Sequence, residues 1–149
     1  MKEELMERLR QFLGRADNAS LSGTPAGDEQ IASAERLLDV RFDADYIEFI
    51  KAFGGAYAGL PVHAFANGSA MGNETVVELT LDFRKQYEGT VTEAETLLRS
   101  GLVISLDGSG DPILIASTGG VYICYHDSGE TSMLAGSFAE LIEDNFFEY

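Results

Sequence analysis

The sequence predicts an α+β domain: a central antiparallel or mixed sheet of about four to six strands, flanked by N-terminal helices and closed by a C-terminal helix. Two observations carry this. Up to Ser100 the apolar residues recur mostly at helical spacing; beyond it, four short runs, "LVISL", "PILIAS", "VYICYH" and "SMLA", are separated by Gly- and Asp-rich turns. A helix–meander–helix order segregates helices from strands, the α+β pattern.

The elements follow in chain order. Leu5, Leu9, Phe12 and Leu13 fall on one helical face, ending at Gly14 or a turn later. "NASLSGTPAGDE" reads as a loop by its Gly, Pro and Ser content. A second helix opens on Asp28 and Glu29, which suit the positive end of the helix dipole, and its expected buried face is Ile31, Ala34, Leu37 and Leu38. Asp43 is an expected N-cap for a third helix carrying Tyr46, Phe49, Ile50 and Phe53, stopped by Gly54 and Gly55. Between Ala56 and Asn73 glycines punctuate the chain, with at most a short strand near 62–66. "NETVVELTLDFRKQYEG" fits either a strand alternation or a helical face of Val76, Leu79, Phe83 and Tyr87; its length and its Glu and Lys favour the helix. Thr92 and Glu95 form a capping-box pattern ahead of a short helix ending at Gly101. In "VYICYH", Val121, Ile123 and Tyr125 alternate with Tyr122 and Cys124, so the strand is apolar on both faces and is expected to be covered on both. Ser137 with Glu140 opens the closing helix, whose apolar face is Phe138, Leu141, Ile142 and Phe146.

A chain of 149 residues, 45% hydrophobic, is expected to form one domain over 1–149, with an N-terminal helix and loop (1–27) ahead of the main region (28–149). Ten Lys and Arg against 25 Asp and Glu leave a formal charge of -15, which disfavours nucleic acid and anionic membranes and suits a basic protein partner. One cysteine forms no intrachain disulfide and suits a reducing compartment. "MKEELMERLRQFLGR" has no apolar signal region and no apolar run is long enough to span a membrane, so the protein is expected to be cytoplasmic.

The segment "SLDGSGDPILIASTGGVYICYHDSGE" poses the functional question, because it strings acidic residues, His126 and Cys124 between glycines. Asp107, Ser109 and Asp111 start like a calcium loop, but the sixth and twelfth positions are Pro112 and Thr118 where Gly and Glu are needed. Tight-turn chemistry accounts for the Asp107-Gly108 pair, and "STGGV" and "HDSGE" read likewise as hairpin turns. His126 and Asp127, read as extended neighbours, point to opposite faces and make no dyad. His63 stands alone in a loop, Cys124 reads as a small buried hydrophobe, and no zinc spacing results. No catalytic residue, metal site or cofactor is therefore expected, and the protein reads as no enzyme. The candidate partner contacts are the turn carboxylates Asp107, Asp111, Asp127 and Glu130 with the aromatics Tyr57 and Tyr122. A metal or small-molecule role for the two acidic turns stays a competing reading.

The segment 28–56, "DEQIASAERLLDVRFDADYIEFIKAFGGA", resembles the N-terminal signature of the SUKH superfamily, the group that holds a fungal cell-wall-assembly regulator and many bacterial toxin-immunity proteins. Glu35 matches its acidic helix residue, and Tyr46, Phe49, Gly54 and Gly55 match the following helix and stop, while Phe42-Asp43 replaces Leu-Pro and Phe53 replaces Asn. "SLDGSGDPILI", "GGVYICYHDSGE" and "LAGSFAELIE" are similar to the family's later segments, with 56–101 a variable middle in which partner specificity is expected. The resemblance implies an α+β fold, binding in place of catalysis, and an immunity protein that neutralises a toxin domain, often a nuclease. A regulatory or scaffold module binding another cellular protein is the alternative it leaves open.

Overall fold

The computed structural model describes residues 1–146; residues 147–149, which the expected domain includes, lie outside the described residues. The helices are α1 (Glu3–Leu13), α2 (Asp28–Leu38), α3 (Ala44–Phe53), α4 (Val76–Tyr87), α5 (Glu93–Ser100) and α6 (Phe138–Asn145). Short 3-10 turns occupy Ala16–Leu21 and Ser69–Met71. Strands β1 (Ala56–Tyr57) and β2 (Pro61–Val62) form a small hairpin, and β3 (Leu102–Leu106), β4 (Pro112–Ile115), β5 (Val121–Cys124) and β6 (Thr131–Ala135) form an antiparallel meander in sequence order.

Local chemistry explains most boundaries. Asp43 caps α3, its Oδ2 accepting from the Tyr46 N–H at 3.1 Å. Gly54 ends α3 at φ 66°, and a Cβ there would lie 2.2 Å from the Thr24 carbonyl oxygen, so only glycine fits. Thr75 and Glu78 form a reciprocal capping box, which settles residues 76–87 as helix. Thr92 accepts from the Glu95 N–H at 3.3 Å, but the Glu95 carboxylate turns away to the N–H groups of Gly89 and Val91, so only half of the expected box forms.

The meander has a helical layer on each face. On one side Leu102, Ile104, Ile113, Ile115, Val121, Ile123 and Ala135 join α1, α2, α3 and α6 in the larger core, where Tyr46, Phe49 and Phe138 meet edge to face. On the other, Val103, Leu114, Ala116 and Cys124 pack under Leu79 and Tyr87 of α4 and Ala94 and Leu98 of α5. Strand β5 thus contributes to both cores, as its two apolar faces require.

Three expectations change. Leu37 is 64% exposed, because the buried stripe of α2 is only Ile31, Ala34 and Leu38. The 56–73 segment pairs earlier than expected, at Ala56–Val62 and Tyr57–Pro61, and His63 extends it onto the sheet by donating its N–H to the Ile104 carbonyl at 2.8 Å. His63 is not alone: it is buried, its Nδ1 lies 2.7 Å from the Glu74 carbonyl, and its own carbonyl accepts from the Tyr46 hydroxyl at 2.6 Å.

Candidate functional site

In an antiparallel meander alternate turns fall at the same end, so the β3–β4 and β5–β6 turns are neighbours. Asp107 shapes the first. Its Oδ1 accepts from the N–H groups of Ser109 and Asp111, both at 2.9 Å, as an Asx turn does, and its Oδ2 has no protein partner among the described residues. Asp111 is only 4% exposed and accepts from His126 of the second turn twice, from the backbone N–H at 3.1 Å and from the ring Nδ1. The other ring nitrogen of His126 lies 3.0 Å from Asp127 Oδ1. His126 and Asp127 therefore do meet, because the chain turns there and the extended-strand argument does not apply. The Asp111 hydrogen bond, then the Asp127 charge, raise the His126 pKa above its ordinary value.

The six candidate residues divide. Tyr57 and Asp107 line one groove, with a volume of about 490 Å³, between the β1–β2 hairpin, the β3–β4 turn and the end of α6. Leu60, Pro61, Ile113, Leu134 and Leu141 give it apolar walls and Asp144 a second carboxylate. Asp127 is exposed beside His126, next to a smaller depression of about 270 Å³ lined also by Tyr87, Thr90 and Thr92. Glu130 is exposed in the same turn. Asp111 is buried and holds His126 in place. Tyr122 is half-buried against the smaller core and stands on the sheet face opposite the groove. Leu60, Leu134 and Asp144 carried no local signal. Leu134 reaches the groove as the extra residue of a bulge, since Val121 pairs with Ala135 and Tyr122 with Met133.

The charge of the chain is uneven. All ten Lys and Arg lie at or before Arg99, whereas eight of the 25 acidic residues follow it. The main sheet and α6 thus supply carboxylates and no strong cation, and no Lys or Arg lines the groove. Among the described residues no group of three or more His, Cys, Asp and Glu could hold a metal ion, and no helix is long and apolar enough to cross a membrane.

The model of the SMI1 / KNR4 family (SUKH-1) matches residues 25–144. The chain belongs to this family. No curated protein matches it. At family level the SUKH domain is a protein-binding immunity or regulatory module, generally without enzymatic activity. In this SUKH domain Glu35 has a visible task. Its Oε2 accepts from the Phe42 N–H at 2.8 Å and so closes the connection between α2 and α3.

Proposed function

We propose that this SUKH domain is an immunity protein that neutralises a basic toxin domain, of the nuclease class, by covering its phosphate-binding face. The observation that carries the reading is the uneven charge along the chain: a main sheet and closing helix whose own residues include no Lys or Arg, in a family of protein-binding modules. A nuclease must attract phosphate and so presents cations. An acidic surface opposite them raises the association rate and disfavours like-charged partners. Asp107, Asp127 and Glu130, with Tyr57, are the proposed contacts; Asp111 contributes through His126, and Tyr122 from the far face contributes packing.

The test is co-purification with the toxin-like product of a neighbouring gene, expressed with its catalytic residues disabled. The expected result is an equimolar complex whose association rate falls steeply with added salt, as steering through exposed charges requires. Capture of a housekeeping protein with no toxin domain would replace this reading with the regulatory one.

A further inference from the structure

We infer that the groove between the β1–β2 hairpin, the β3–β4 turn and α6 is an arginine-anchor site, which takes one arginine side chain from an apolar-flanked loop of a basic protein partner. This rests on the binding role proposed above and assigns it a place.

Three properties of the groove point to that occupant. The first is its shape and walls: at about 490 Å³ it falls in the range of specific pockets, and Leu60, Pro61, Ile113, Leu134 and Leu141 offer an apolar lining suited to a long aliphatic stem. The second is its charge. Among the described residues, Asp107 and Asp144 are the charged groups that line it, both are carboxylates, and neither forms an ion pair with a Lys or Arg. Asp107 is held by the two N–H groups that occupy Oδ1, which leaves Oδ2 for a donor from outside. The third is Tyr57, whose ring supplies an aromatic wall on which a guanidinium plane stacks. A guanidinium uses all three, with a fork of donors for carboxylates, a flat face for the ring and a weakly hydrated charge; a lysine ammonium uses only the charge. Arginine is also among the residues that dominate interface energetics.

The groove is preformed. Gly59 lies so close under the end of α6 that a Cβ there would stand 1.7 Å from the Asn145 carbonyl oxygen, which locks the hairpin to the helix. Binding then costs little rearrangement.

The test uses the full chain and the peptide acetyl-Leu-Arg-Phe-Arg-amide, beside the same peptide with citrulline, the neutral isostere, in place of each arginine. Amide chemical shifts are followed during titration. The expected result is saturable shifts at Tyr57, Leu60, Asp107, Leu134 and Asp144 with the arginine peptide, lost with the citrulline peptide and weakened by salt. The double variant D107N/D144N is expected to bind roughly tenfold more weakly, since two charge-assisted contacts are removed while the Asn side chains keep an acceptor for the turn. D82N, on the exposed face of α4, is expected to bind like the parent. Shifts mapping elsewhere, equal shifts with both peptides, no shifts at millimolar peptide, or shifts on concentrating the protein alone, which would place a second copy in the groove, overturn the proposal. The outcomes separate the two readings. A toxin complex insensitive to D107N/D144N sinks the groove and leaves the immunity role, whereas peptide binding in the groove without any toxin partner does the reverse.

Discussion

Asp111, buried just ahead of β4, accepts two hydrogen bonds from His126, one from its backbone N–H at 3.1 Å and one from its ring, and so ties the β3–β4 turn to the β5–β6 turn. With Asp127 on its other nitrogen, the imidazole is flanked by carboxylates and its pKa is raised above 6.5. A folded-state pKa above the unfolded one means the contact stabilises fully below pH 6.5 and fades as pH rises through the folded value. The His126 ring should titrate with a midpoint above 6.5, and D111N should lower that midpoint. The urea midpoint of the parent, compared with H126Q, should lose its excess as pH rises through the same range. A His126 midpoint at or below 6.5 would contradict the geometry.

Arg84 joins three helices. From α4 its Nε donates to the Leu98 carbonyl at the end of α5 at 2.8 Å, and its Nη1 to the Leu38 carbonyl at the end of α2 at 2.9 Å. Both are helix C-terminal carbonyls with no partner further along the helix, and a cation there also meets the negative end of the dipole. R84M should destabilise the protein by about 2 kcal/mol in urea unfolding. R84K should recover little of that loss, because a single ammonium does not reproduce the planar fork that spans two carbonyls.

Glu35 and Asp39 together shape the turn after α2. The Glu35 carboxylate satisfies Phe42 N–H, and Asp39 sits in the left-handed region at φ 53°. E35A should cost about 1 kcal/mol, with E35Q restoring most of it, since the neutral amide still accepts the bond. D39G should raise the unfolding free energy by up to about 1 kcal/mol in urea unfolding, as glycine adopts that conformation without a Cβ penalty. Loss of stability in D39G would show that the Asp39 side chain contributes more than its backbone conformation costs.

Gly59 has a φ of 85°, and a Cβ there would meet the Asn145 carbonyl at 1.7 Å. G59A must part the hairpin from α6, and a loss of about 2 kcal/mol or more is expected in thermal unfolding. The same variant should widen the groove and disturb the amide shifts of Tyr57 and Asp144. A neutral G59A would mean that the hairpin moves freely.

The legible parts of the chain were those governed by nearest neighbours. The Asp43 cap and the buried faces of α1 and α3 depend on residues three or four apart and appear as expected, and Ser137 accepts from the Glu140 N–H as expected while the Glu140 carboxylate turns to the Gly136 N–H. The double-sided apolar pattern of β5 correctly implied cover on both faces. What stayed hidden depends on long-range contact. Asp111 and His126 are fifteen residues apart and meet only because two turns share an end of the sheet. The groove draws Leu60, Asp107, Leu134 and Asp144 from four separate segments, and Leu134 enters it only through a bulge. Leu37 kept helical spacing and still faces outward, because spacing does not give the width of the stripe that α2 buries.

The division of the core by the sheet gives the molecule two sides of unequal strength. The layer of α4 and α5 covers far fewer buried residues than the layer opposite. Such a layer can lift while the rest of the fold holds, so amide deuteration should enter α4 and α5 before α3 and α6. The chain carries its own clock for that event. Cys124, the one cysteine, lies fully buried on the β5 face beneath this layer, and burial pushes its thiol up to about 11. An alkylating reagent reaches it only when the layer parts, so the rate of thiol modification in native buffer counts those openings one molecule at a time.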